Sequence, residues 1–236
     1  MRRSNRLATL RLLTVLTCLV LPALAAAPSQ GQEQPFHDWG QGLKWYQAAA
    51  EQGNAEAQYR LGLFHERGLN LPVDPAMARQ WYGQAAEQGH PLAQFRLASL
   101  LHAGLGGAAD PAAAAQWYRE AARQGVAEAS YNLGVLLDQG AVVPDNRAEA
   151  ALHYEAAARA GIGPAAMNLA LLLLTGDGVD QDRTAALAWL MIAADAGAAG
   201  AAAARDDLLG DVTRTEREDA AKRVAAIRGS ETRPLQ

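Results

Sequence analysis

Between residues 74 and 109 the apolar positions fall into two runs with helical spacing. Ala78, Trp81, Tyr82, Ala85 and Ala86 recur at three- and four-residue intervals, which gathers them on one face of a helix. A second run carries Ala93, Phe95, Leu97, Leu100 and Leu101 and predicts a helix from about Pro91 to Ala103. Asp74 stands before the first run, where a short side-chain oxygen can satisfy the free N–H groups of a helix start. Pro75 follows at the first helical position, where a missing N–H costs nothing. Gly89 can end the first helix in a left-handed conformation, and Gly104 closes the second.

The same pattern returns every 36 residues. Trp45-Tyr46, Trp81-Tyr82, Trp117-Tyr118, His153-Tyr154 and Trp189-Leu190 mark it. In the same register stand Gly53, Gly89, Gly125, Gly161 and Gly197, the leucines 61, 97, 133 and 169, and the glycines 68, 104, 140 and 176. Asp38, Asp74, Asp110, Asn146 and Asp182 hold the helix-start position, and the fifth unit drifts, with Arg205 in the leucine place. Small residues let the helix axes approach while the Trp-Tyr pair fills the wider gaps, and neither helix can bury its stripe alone. The predicted fold is all-α: a curved solenoid of about five 36-residue two-helix repeats with a C-terminal capping helix. The units are 38–73, 74–109, 110–145, 146–181 and 182–210. Thr213 and Glu216 form a capping box ahead of Ala220, Ala221, Val224 and Ile227, which places the capping helix at 211–228 and a flexible tail at 229–236.

The first 27 residues differ in kind. Arg2, Arg3, Arg6 and Arg11 precede a mostly apolar run from Leu12 to Leu24, with small-residue sites at Ala25 and Ala27. This is the layout of a secretory signal peptide, followed by a flexible, Gln-rich linker over 28–37. Pro22 breaks the apolar run, which is shorter than the roughly 20 residues of a membrane-spanning helix. Cys18, the only cysteine, lies inside that run and leaves with it, so the mature chain has neither disulfides nor thiolate chemistry. The formal net charge of −4 becomes more negative once four arginines are removed, which argues against nucleic-acid and anionic-membrane partners.

No catalytic constellation stands out. The serines of the mature chain are Ser29, Ser99, Ser130 and Ser230, and none lies in a Gly-x-Ser-x-Gly elbow. The histidines 37, 65, 90, 102 and 153 include no i, i+4 pair suited to zinc, and His153 takes a core aromatic position. Asp177, Asp180 and Asp182 crowd one loop but lack the bidentate Glu of a calcium loop, and Asp182 is already a helix cap. Gly104-Leu105-Gly106-Gly107 is a helix end and turn, with no strand before it and no Lys-Ser/Thr after it. These readings predict a non-enzyme without metal or cofactor.

The repeated pattern of Ala78, Trp81-Tyr82, Ala85-Ala86, Gly89, Ala93, Leu97-Ala98, Gly104 and Asp110 resembles the Sel-one-like repeat, a relative of the tetratricopeptide repeat. The resemblance covers about 38–210. It implies that the all-α fold is a right-handed α/α superhelical solenoid acting as an adaptor, scaffold or regulator, often in the bacterial envelope. The loop pattern Gly-x-Gly-Val is complete only at Gly176-Asp177-Gly178-Val179, so the loops of the first three units are open to another geometry. A secreted branch of that family with paired cysteines has been linked to β-lactams, and its activity does not carry over to a chain without them.

By analogy with tetratricopeptide grooves, the first helices line a concave face. Its candidate binding residues are Gln47, Glu51, Arg79, Glu87, Arg119, Arg123, Glu155, Arg159, Met191 and Asp195. A mixed-charge stripe of this kind can read an extended or helical protein segment. The sequence therefore predicts a monomeric, periplasmic or secreted adaptor for another envelope or secreted protein. The rival readings are a subunit restraining a sensor kinase or exopolysaccharide system, and a cell-wall or β-lactam hydrolase.

Overall fold

The computed structural model describes residues 39–140 and 146–231, with side chains from 42 to 229 outside the gap. The leader over 1–27, the linker over 28–37, the Asp38 cap and most of the tail lie outside the described residues. Among the described residues there are eleven helices and no strand. The first helices of the five units are α1 (Trp39–Glu51), α3 (Pro75–Glu87), α5 (Pro111–Arg123), α7 (Arg147–Arg159) and α9 (Arg183–Asp195). The second helices are α2 (Ala55–Arg67), α4 (Pro91–Ala103), α6 (Ala127–Asp138), α8 (Gly163–Thr175) and α10 (Ala201–Asp211), and α11 (Arg214–Glu231) ends the chain. From α1 to α10 each helix packs on its neighbours in sequence, which makes an all-α repeat solenoid of five repeats. None of these helices is long and apolar enough to cross a membrane.

The caps form largely where the sequence places them. Asp74 accepts from the N–H groups of Ala76 and Met77, Asp110 from Ala113 at 2.9 Å and Asp182 from Ala185 at 2.8 Å. Asn146 occupies the same position without capping: its ψ is 40°, against 92°, 85° and 97° at the three aspartates, and its amide donates to Glu149. The second helices carry caps of their own. Asn54 accepts from Ala57, and the Nδ1 of His90 accepts from Ala93, while Val126 and Ile162 at the equivalent places offer no side-chain bond. In the loops, Asn70, Gly106 and Gly178 share a left-handed conformation, with φ of 56°, 74° and 78°. The first two units thus make the same turn as the fourth although they lack its full glycine pattern.

The core differs from expectation in one respect. Tyr82, Tyr118 and Tyr154 are sealed from solvent, whereas Trp81 and Trp117 are half-buried and Trp45 is 53% exposed. Each hydroxyl finds a partner on the preceding second helix: Tyr82 donates to Glu66, Tyr118 to Ser99 at 3.2 Å and Tyr154 to Asp138 at 3.4 Å. The tryptophans instead cover seams between units, as Trp81 does by packing against the Leu43, Leu61 and Phe64 cluster. A polar ladder reinforces the first seams. Gln58 donates to the carbonyl of Ala50 and accepts from Gln88, and Gln94 donates to Ala86 and accepts from Gln124.

The terminal helix does not continue the stack. As the next first helix it would pack on α10, but it lies across α9 and reaches α7. Its capping box forms, with Glu216 accepting from Thr213 and returning an N–H to the threonine hydroxyl, and the helix runs to Glu231, past the expected end at 228.

Candidate functional site

Because α11 crosses α9 toward α7, the face formed by the first helices has a wall at its C-terminal end. Beside that wall is a cleft of about 490 Å³. Leu169 and Leu173 of α8, Ala185, Ala188 and Trp189 of α9, and Val179 supply apolar surface. Leu152 and Ala151 line it from α7, and Ala226 and Ile227 from α11. Leu152 is 68% exposed, the most open of the large apolar side chains described. Glu155, Arg159 and Arg223 add charge to the lining. The guanidinium of Arg159 pairs with Glu155 at 2.7 Å and lies 5.8 Å from the centre of the Trp189 ring. The cleft therefore offers apolar surface with a charged margin, suited to seating an apolar side chain and orienting the chain that carries it.

The ten residues expected on this face separate into groups. Glu51, Glu87, Arg123, Arg159 and Asp195 are all exposed at the C-terminal ends of the first helices, in one 36-residue register. Glu155 and Arg159 line the cleft. Asp195 is bound by Arg228 of α11 at 2.6 Å, and Arg123 by Glu120 of its own helix. Gln47 and Met191 share a second register with Arg119 and Glu155, and all four are half-buried. Arg119 is a strut between units, pairing with Glu149 at 2.9 Å. Arg79 departs from the expectation. Its register mates Ala115, Ala151 and Leu187 are buried, and its guanidinium turns away to donate to the carbonyl of Ala108 at 3.1 Å.

Leu152, Trp189 and the α11 residues are absent from the expected site. Leu152 had a signal: its register mates in the first three units, Lys44, Gln80 and Gln116, are polar, so a large apolar side chain there breaks the pattern of the units before it. Of the other candidate chemistry, Ser99 is buried, donating to Phe95 and accepting from Tyr118. Asp177 pairs with Arg147 at 3.3 Å. Among the described residues, no three His, Cys, Asp or Glu side chains gather as a metal site.

At the seam between units three and four the Arg119 bond holds the Glu149 carboxyl below its usual range, against the opposing effect of burial. Burial lowers His153, which faces Glu149 at 3.6 Å and feels Arg119, and burial lowers His102 as well. A histidine with a depressed folded pKa binds its proton more readily in the unfolded chain. Its stability contribution is full above about pH 6.5 and declines as the pH falls toward the folded value. The thermal midpoint should therefore drop between pH 7.5 and 5.5, and drop less in His153→Phe. Identical profiles for the two proteins would remove His153 as a source of acid sensitivity.

The family model described as Sel1 repeat matches residues 30–54, 55–90, 91–126, 127–162 and 163–197. The last four matches begin at the first residues of α2, α4, α6 and α8. Among solved structures, a Sel1 repeat protein from Oxalobacter formigenes is 30% identical, with a TM-score of 0.62, over 82% of this chain and 77% of that one. The protective antigen c5321 of uropathogenic Escherichia coli strains, which displays an SLR fold, is 26% identical, with a TM-score of 0.49. That alignment covers 85% of this chain and 53% of the antigen. A search of curated proteins returned no match.

Proposed function

The chain belongs to the Sel1 repeat family, whose members mediate protein–protein interaction, and from that premise we propose that it is an exported, non-catalytic adaptor. Its partner is an envelope or secreted protein, held along the face of the first helices. The observation that carries this reading is the cleft, where exposed Leu152 stands beside Trp189 and Leu173 with Glu155 and Arg159 at hand. Tryptophan and arginine, here Trp189, Arg159 and Arg223, are the side chains enriched in binding hot spots, and the charges at the margin fix orientation. The engaged hydroxyl of Ser99 supports the non-catalytic half of the proposal. The Arg-rich start and Ala-x-Ala site support export, with a mature N-terminus after Ala25 or Ala27.

One experiment tests both halves. Envelope-fraction protein is crosslinked in cells, its captured partner identified and its N-terminus sequenced, for wild type and Leu152→Asp. Leu152 is open to solvent, so the substitution should change folding stability by no more than about 0.5 kcal/mol. Capture is expected to fall at least tenfold with helicity unchanged. Equal capture by the two proteins would remove the cleft from the interface, and intact Met1 in the cytoplasmic fraction would overturn export.

A further inference from the structure

The first-helix face already holds a helix, and the way α11 sits there shows what kind of ligand the face accepts. Nine of the 18 residues of α11 are charged, and only Ala220 and Val224 among its described side chains are buried, with Ile227 half-buried. These three stand at i, i+4 and i+7, the spacing with which a helix anchors in a groove. Two arginines fix its course: Arg223 meets Asp182, the cap of α9, at 2.7 Å, and Arg228 meets Asp195, near the other end of α9, at 2.6 Å. Together the two bonds tie α11 to both ends of α9. All four charged side chains are substantially exposed, so these pairs set orientation more than strength, and salt screens them.

We propose that the surface beneath α11 is a helix-binding site, and that the partner inserts an amphipathic helix of the same kind in place of α11. Building on the adaptor reading, this names the partner's chemistry. Its helix carries small or branched apolar residues at i, i+4 and i+7, and Arg or Lys at i+3 and i+8, to meet Asp182 and Asp195. The same helix, lying across α9 toward α7, brings its flank to the cleft at Leu152. Only Val212 and Thr213 separate α10 from α11, so α11 competes at the millimolar effective concentration of a short tether. Apparent affinity for any incoming helix is reduced by the fraction of molecules in which the site is vacant. The tethered helix thereby sets the threshold a partner must exceed.

The probe is a fluorescein-labelled peptide of residues 213–231, added to the full mature chain and followed by anisotropy. Val224→Asp puts a charge into the buried anchor and releases α11, while Arg223→Glu with Arg228→Glu releases it electrostatically. Both released chains should bind the peptide at least tenfold more tightly than wild type, and more weakly as salt is raised. Adding Asp182→Asn and Asp195→Asn, which keeps a capping side chain at 182, should weaken binding at least fivefold. A peptide with Glu at positions 223 and 228 should bind the Val224→Asp chain at least fivefold more weakly than the native peptide. Absence of peptide binding to both released chains, binding equal to wild type, or indifference to the two aspartates would overturn the proposal. Should these fail while Leu152→Asp still abolishes capture in cells, the adaptor reading stands and the site under α11 is not the partner's.

Discussion

Tyr118→Ala is expected to lower the free energy of unfolding by about 3–5 kcal/mol, the range for deleting a fully buried aromatic side chain. Tyr118 has no exposed surface, sits 6.0 Å from the Phe95 ring between centroids, and ties together two units through its hydroxyl. That oxygen donates to Ser99 and accepts from Asn132, each at 3.2 Å. Trp117→Ala, one residue earlier, should cost only about 1–2 kcal/mol, since the indole is half-buried and the site can relax toward solvent. Tyr118→Phe isolates the hydroxyl and should cost about 1 kcal/mol, the net worth of a buried neutral hydrogen bond. Urea denaturation followed by circular dichroism measures all three. A Trp117 effect equal to that of Tyr118 would mean that the tryptophan, not the tyrosine, faces the core.

Gly106→Ala should cost about 3 kcal/mol or more, because two separate penalties meet at one residue. Its φ is 74°, a conformation that L side chains resist. A Cβ there would also lie 2.3 Å from the carbonyl oxygen of Pro75, so the loop after α4 could not close against the start of α3. Gly89→Ala separates the terms. Its φ is 86°, yet a Cβ would meet nothing within 4 Å, so it should pay the backbone penalty alone, about 1–2 kcal/mol. Equal denaturation midpoints for the two variants would show that the loop yields and that the contact with Pro75 is not restrictive.

The 36-residue period, the caps and the left-handed glycines were legible because each depends on neighbours a few residues away. Which member of the Trp-Tyr pair turns inward was not. Adjacent helical residues point about 100° apart, and both can touch apolar surface, so the rotation of the helix is settled by the unit it packs against. Arg79 misled for a different reason. The analogy with tetratricopeptide grooves places it on the concave face, whereas its register mates Ala115, Ala151 and Leu187 mark a core position. The polar bonds between units needed the structure, and they obey a rule once seen. Gln58–Gln88, Gln94–Gln124, Arg96–Glu66, Arg119–Glu149 and Arg147–Asp177 all join residues 30 apart. The position of α11 was illegible, since its apolar spacing fits a helix stacked on α10 as well as one folded back over α9.

The glutamine ladder gives the array a direction of growth. Gln58, Gln94, Ser130 and Ala166 occupy one register, and Gln88, Gln124, Ala160 and Ala196 occupy the register that answers it, so the pairing runs out toward the C-terminus. A module copied from the alanine end and inserted after the first unit would leave Gln58 facing an alanine, with its side-chain oxygen stripped of the Gln88 donor. The same copy appended beside the fifth unit would meet small side chains that ask nothing of a newcomer. The ladder therefore locks the opening units into the order in which they now stand, while the alanines of the later units make no such demand on a neighbour.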